Sequence, residues 1–171
     1  CLLSRGLGDV YKRQDFEGTI AFMRLGHAVS ELAQIPWLGP DHLHGAVEPE
    51  RLPRLIYWGD LDTHGLAILS RARGIFSRLQ SVLMTEATLL EGKSLWVTEL
   101  KPHRAEALRH LTPLEMDVYA GLRTNRWGTN LRLEQERLSW PTCLSVLREA
   151  LLGDSEPVSY THLRAHETRG N

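Results

Sequence analysis

Leu55-Ile56-Tyr57-Trp58-Gly59-Asp60-Leu61-Asp62-Thr63-His64-Gly65-Leu66-Ala67-Ile68-Leu69 is the stretch on which the fold turns. Its first four residues are apolar and rich in aromatic and branched side chains, the composition of a short buried strand. Asp60 and Asp62 follow at the carboxyl end, and in extended backbone residues two apart project to the same side. Carboxylates held that close repel unless a proton or a cation separates them, and a hard divalent ion with oxygen ligands is the usual resolution. Thr63-His64-Gly65 breaks the strand, after which Leu66, Ile68 and Leu69 begin an apolar helix face. Ligands of open α/β sheets sit at such strand-to-helix corners, so the position fits a metal site. Asp, Thr and Gly are also ordinary turn residues, and the same stretch can be read as a plain turn.

Working outward, Thr19-Ile20-Ala21-Phe22-Met23 predicts a strand, broken by Gly26, with Ala28, Val29, Leu32 and Ala33 following at helical spacing. A proline-bearing acidic loop, Val47 to Pro53, leads into the Asp60 strand. His64 to Arg78 predicts an amphipathic helix with Arg71, Arg73 and Arg78 mostly exposed, and Ser81 to Met84 a short strand. Strand and helix alternate through Thr85, which predicts a three-layer α/β domain with a mostly parallel sheet. Thr98 to Leu111 is charged and reads as a loop or a short exposed helix. Thr112-Pro113-Leu114-Glu115 carries a capping box with proline in the first turn and starts a helix running to about Arg123. Leu131 to Glu136 alternates like an edge strand. Pro141 opens a last helix bearing Leu144, Leu147, Ala150 and Leu151.

The chain has 171 residues, 42% of them hydrophobic and 24% charged, as in an ordinary globular protein. No apolar run approaches bilayer length. Residues 1–14 and 158–171 show no clean periodicity and resemble translated sequencing-adapter sequence; both are expected to lie outside the fold, leaving residues 15–157 as one domain. Only Cys143 lies outside those ends, since the other of the two cysteines is Cys1, and one thiol makes no internal disulfide, so a reducing cytoplasm is the expected home. The net charge is −1, and without the five cations and two acids of the ends it is near −4. An acidic segment is poorly suited to grip DNA alone, because phosphate binding needs cationic side chains.

Asp-x-Asp-x-x-Gly between an apolar strand and an apolar helix resembles the acidic motif of Toprim domains. More closely, Tyr57-Trp58-Gly59-Asp60-Leu61-Asp62-Thr63-His64-Gly65 looks like the signature of the JetD family, the topoisomerase VI-like nuclease subunit of Wadjet anti-plasmid systems. Leu25 to Val29 with Pro36-Trp37-Leu38, Ser81 to Thr85 with Ala87 to Leu90, and Leu131 to Leu138 resemble further segments of that family, in family order over most of residues 16–150. The resemblance implies a Toprim-like domain, incomplete at its amino terminus, from a metal-dependent DNA endonuclease. It implies Mg²⁺, or Mn²⁺, on Asp60 and Asp62. It also implies DNA bound through the parent protein, condensin-like Wadjet subunits as partners, and homodimer formation as an option. The family draws a further glutamate from an earlier strand. None stands at that distance here, since Glu17 lies just before the Thr19 strand, so this fragment alone is expected to be inactive.

Other residues carry weaker readings. His64 can serve a second-shell group or a phosphate oxygen, or be a turn histidine bonded to backbone. Glu134 and Glu136 approach the metal if the last strand joins the sheet beside it; otherwise they are exposed acids. His42 and His44 lack further ligands at suitable spacing. Cys143 reads as core, and the scattered tryptophans as packing rather than base-stacking groups. Asp-Leu-Asp-Thr faintly resembles the nucleophile loop of haloacid dehalogenase-type phosphatases, but no downstream acidic pair follows, and Thr63 falls one place early. A non-catalytic Toprim-fold assembly domain is the reading from outside the enzymes.

Overall fold

The computed structural model describes residues 2–4, 19–23, 25–43 and 52–152. Four strands form a parallel sheet: β1 (Leu2–Ser4), β2 (Ala21–Met23), β3 (Ile56–Tyr57) and β4 (Gln80–Ser81), in the order β2-β1-β3-β4. A separate antiparallel pair joins β5 (Val97–Thr98) to β6 (Leu131–Arg132). Among the described residues, the α-helices are α1 (Thr63–Arg73), α2 (Glu86–Glu91), α3 (Pro113–Arg123) and α4 (Trp140–Leu152).

Alternation along β3 builds the layers. Leu55 and Tyr57 enter one core with Val29, Leu32, Leu66, Leu69, Phe76 and Tyr119, so the 3₁₀ segment Gly26–Gln34, α1 and α3 cover that face. Ile56 and Trp58 point the other way, into a second core with Val82, Cys143 and Leu147 of α4. Period-two side chains demand this two-sided burial of a central strand. Each fully buried leucine adds roughly 1.5–3 kcal/mol. The expected helix–sheet–helix arrangement with a parallel sheet is present, and Cys143 is a core residue, 1% exposed.

Several expectations need revision. The helix that carries Val29 and Leu32 is 3₁₀ rather than α. Helix α1 ends at Arg73, not Arg78, because Gly74 forms its carboxyl cap. Arg73 is not a solvated side chain: it lies 2.5 Å from Glu115 Oε2, with side-chain exposures of 13% and 7%. Arg78 is partly buried and donates to the carbonyls of Leu38 and Gly39. The charged stretch after Trp96 contains β5, which its sequence does not advertise. The capping box at α3 is as expected: Thr112 Oγ1 accepts from Glu115 N, while Glu115 Oε2 accepts from Thr112 N.

Within the amino-terminal end that was set apart from the fold, Leu2–Ser4 forms β1, hydrogen-bonded to β2 on one side and β3 on the other. A sheet whose β2 and β3 do not pair directly needs a strand between them, and these three residues supply its backbone. Leu2, Leu3 and Ser4 carry no carboxylate. Glu17, His44 and residues 158–171 lie outside the described residues. Among the described residues, no helix is long and apolar enough to cross a membrane.

Candidate functional site

Strand β3 runs out at Tyr57, and the backbone beyond it is held by the late segment after β6. Leu61 and Leu133 exchange hydrogen bonds at 2.9 and 3.2 Å in an isolated antiparallel bridge. That bridge sets Arg132 against the two aspartates. Asp60 is 3% exposed; its Oδ2 accepts from Arg132 Nη2 at 2.7 Å and its Oδ1 from Gln135 N at 3.1 Å. Asp62 is 2% exposed, and its Oδ2 lies 3.5 Å from Arg132 Nε, an ion pair too long for a hydrogen bond. The guanidinium also stands 3.5 Å from Glu134 Oε1.

The corner itself is sterically determined. Asp62 caps α1, its Oδ1 accepting from Gly65 N at 2.6 Å. A Cβ on Gly65 would fall 1.9 Å from the carbonyl oxygen of Asp60, a backbone atom that cannot give way. Glycine is required there by close approach. Tyr57 secures the same turn from below, its hydroxyl donating to Gly65 O at 2.9 Å.

A third buried acid comes from beyond β5. Glu99 is 3% exposed and closes the amino end of α1, accepting from Thr63 Oγ1 at 2.7 Å and from the backbone N–H of Thr63 and His64 at 3.3 Å each. A carboxylate at unpaired helix N–H groups is favourably placed. Burial pushes the Asp62 carboxyl up to about 6; the Gly65 N–H opposes this, Glu99 and Asp60 add to it, and Arg132 opposes it. Burial also pulls the Arg132 guanidinium down, but Asp60, Asp62 and Glu134 outweigh it and raise it above its ordinary value.

Asp62, Glu99 and Arg132 line an open cleft of about 300 Å³ together with His64, Ile68 and Lys101. His64, in the first turn of α1, donates through Nε2 to Lys101 O at 2.5 Å, while its ring meets that of His103 edge-on with centroids 5.6 Å apart. His103 in turn contacts the Tyr119 hydroxyl at 2.9 Å through Nδ1.

Of the residues singled out in sequence, Asp60 and Asp62 both pair with Arg132, and Asp62 and His64 line the cleft. Glu134 reaches the pair only through Arg132 and also binds Arg137 Nε at 2.9 Å. Glu136 is exposed on the 3₁₀ turn Gln135–Arg137. Sequence reasoning missed Glu99 and Arg132. The signal for Arg132 was present: alternation from Leu131 puts Arg132, Glu134 and Glu136 on one face, so any approach by the glutamates would bring the arginine first.

The acid chemistry suits a hard divalent cation, but the arrangement does not. The Arg132 guanidinium stands where a cation shared by Asp60 and Asp62 would neutralise both, and among the described residues no three histidine, cysteine or acidic side chains are placed to hold an ion. The positive charge that two close carboxylates require is supplied here by the protein itself.

The family described as Wadjet protein JetD, C-terminal, matches residues 9–147. A comparison with curated proteins returned no match. The match takes in both aspartates, Glu99 and Arg132.

Proposed function

We propose that this chain, which belongs to the JetD C-terminal family, contributes the acidic site of a DNA endonuclease acting in anti-plasmid defence. The carrying observation is the pair Asp60 and Asp62, buried at the carboxyl end of a central strand beside an open cleft. Burying two carboxylates costs several kcal/mol unless they are compensated, an expense seldom retained for packing alone. Arg132 and Lys101 on the cleft wall are suited to phosphate oxygens, the arginine through its planar fork. The parent protein supplies the remaining grip on DNA, in the cytoplasm, with condensin-like Wadjet subunits as partners and a homodimer as one assembly. On the family resemblance, Asp60 and Asp62 would hold Mg²⁺ or Mn²⁺, at the position where the Arg132 guanidinium stands.

The test is plasmid nicking by the full-length parent, its Asp60→Asn and Asp62→Asn variants, and an EDTA control. Each substitution removes a charge at nearly constant volume, so both should abolish cleavage while the fold persists. Undiminished cleavage by both variants rejects the assignment. A non-catalytic assembly domain of the same fold is favoured by one observation, the pairing of both aspartates with Arg132; it predicts no cleavage by the intact parent under any metal condition.

A further inference from the structure

We propose that Arg132 is an exchangeable counter-ion: a divalent cation reaches Asp60 and Asp62 only in place of this guanidinium. The inference rests on the nuclease reading for the relevance of the cation, but its test does not depend on cleavage.

The geometry carries it in three steps. Both aspartates are almost fully buried, so the charge between them must be balanced locally rather than by solvent. Arg132 supplies the nearby positive charge and occupies one oxygen of each acid, at 2.7 Å from Asp60 and 3.5 Å from Asp62. A cation bound by the same two oxygens would stand against the guanidinium, and two like charges within a few ångströms in a water-poor setting exclude each other. Occupancy by one is therefore loss of the other.

Arg132 is also able to leave. Its side chain is 30% exposed, whereas those of Asp60 and Asp62 are 3% and 2%. It projects from a two-residue strand and lines the open cleft, and its Nε has no hydrogen-bond partner. An arginine committed to structure would have that donor satisfied. The acids are enclosed and the arginine reaches solvent, the asymmetry that exchange requires.

The experiment uses this chain and three variants: Arg132→Gln, Arg132→Lys, and Arg132→Gln combined with Asp60→Asn. Mn²⁺ binding is followed by electron paramagnetic resonance, and thermal unfolding is measured in EDTA and in Mn²⁺. The wild-type chain should bind Mn²⁺ weakly and unfold at the same temperature in both. Arg132→Gln should be less stable in EDTA, recover in Mn²⁺, and bind the ion at least about tenfold more tightly, since ligand binding to the native state raises its stability in proportion. The double variant should lose the tight site, which locates it at Asp60. If Arg132→Gln fails to fold without metal, Arg132→Lys decides, because an ammonium cannot span both carboxylates and should leave Mn²⁺ affinity between the other two. Equal Mn²⁺ affinity in the wild type and both single variants overturns the proposal. So does an Arg132→Gln protein whose unfolding is indifferent to Mn²⁺. Exchange without plasmid nicking by the parent would remove the nuclease reading and leave this one standing.

Discussion

Replacing Asp62 with asparagine should stabilise the chain at neutral pH, although the nuclease reading places Asp62 at the centre of the site. The folded carboxyl is raised from 3.8 to about 6, chiefly by burial. An acid whose folded pKa lies above its unfolded value is the reverse of the usual stabilising case. Below pH ~4 both states hold the proton and the group costs nothing. Between there and about 6 the unfolded chain has ionised while the folded one keeps its proton, so stability falls as pH rises. Above that the penalty is complete, and two pKa units correspond to about 3 kcal/mol. Asparagine keeps an oxygen for the Gly65 N–H and caps a helix as well as aspartate does. The attraction to Arg132 is already contained in that shift and takes nothing further from the gain. The expected stabilisation is up to about 3 kcal/mol at pH 8, with little at pH 4. Urea unfolding of both proteins at the two pH values measures it. A destabilised variant at pH 8, or a difference that does not change with pH, would refute the reasoning.

Gly65→Ala should destabilise by several kcal/mol or abolish folding, because the added methyl meets the Asp60 carbonyl at 1.9 Å; a urea midpoint within error of wild type would contradict that close approach. Glu115→Gln should cost about 3 kcal/mol at pH 7 by leaving Arg73 without its charge partner. Burial raises the Glu115 carboxyl, but the bonds from Arg73, Ser81 and Thr112 outweigh it and hold it below the usual range. Its contribution is therefore present above the unfolded value near ~4.3 and lost as pH falls through the lower folded one; wild type should show that acid limb in urea titrations and the variant should not. Leu3→Pro should cost about 3 kcal/mol or more, since an inner strand cannot spare a backbone donor; an unchanged thermal midpoint would remove β1 from the sheet.

Local rules were enough for much of this molecule. An apolar run followed by Asp-x-Asp and a helix start places Asp60 and Asp62 without tertiary information, because strand length, turn chemistry and helix onset are all encoded within fifteen residues. The α3 start is legible for the same reason: a capping box is a four-residue device. What escaped is what distance in sequence conceals. Glu99 sits in a charged stretch that resembles solvated loop, and only its place above the α1 terminus buries it. Arg73 and Arg78 look like a wet helix face until Glu115 and the Leu38–Gly39 carbonyls are set beside them. Arg132 stands 72 residues from Asp60, so no window of local pattern could join them. Residues 1–14 show no periodicity and resemble adapter sequence, yet a strand of three residues is too short to show a period.

The bridge between Leu61 and Leu133 has a consequence for the order in which the protein is made. A ribosome would deliver Asp60 and Asp62 long before Arg132 and Gln135, and contacts this far apart form late because a long loop must close first. Until then the nascent chain carries two aspartates with no arginine beside them, and desolvating them is unfavourable. The corner around Gly65 should therefore stay hydrated during synthesis and become dry only when the segment after residue 130 docks. Closure of this site is then a late event of folding rather than its seed.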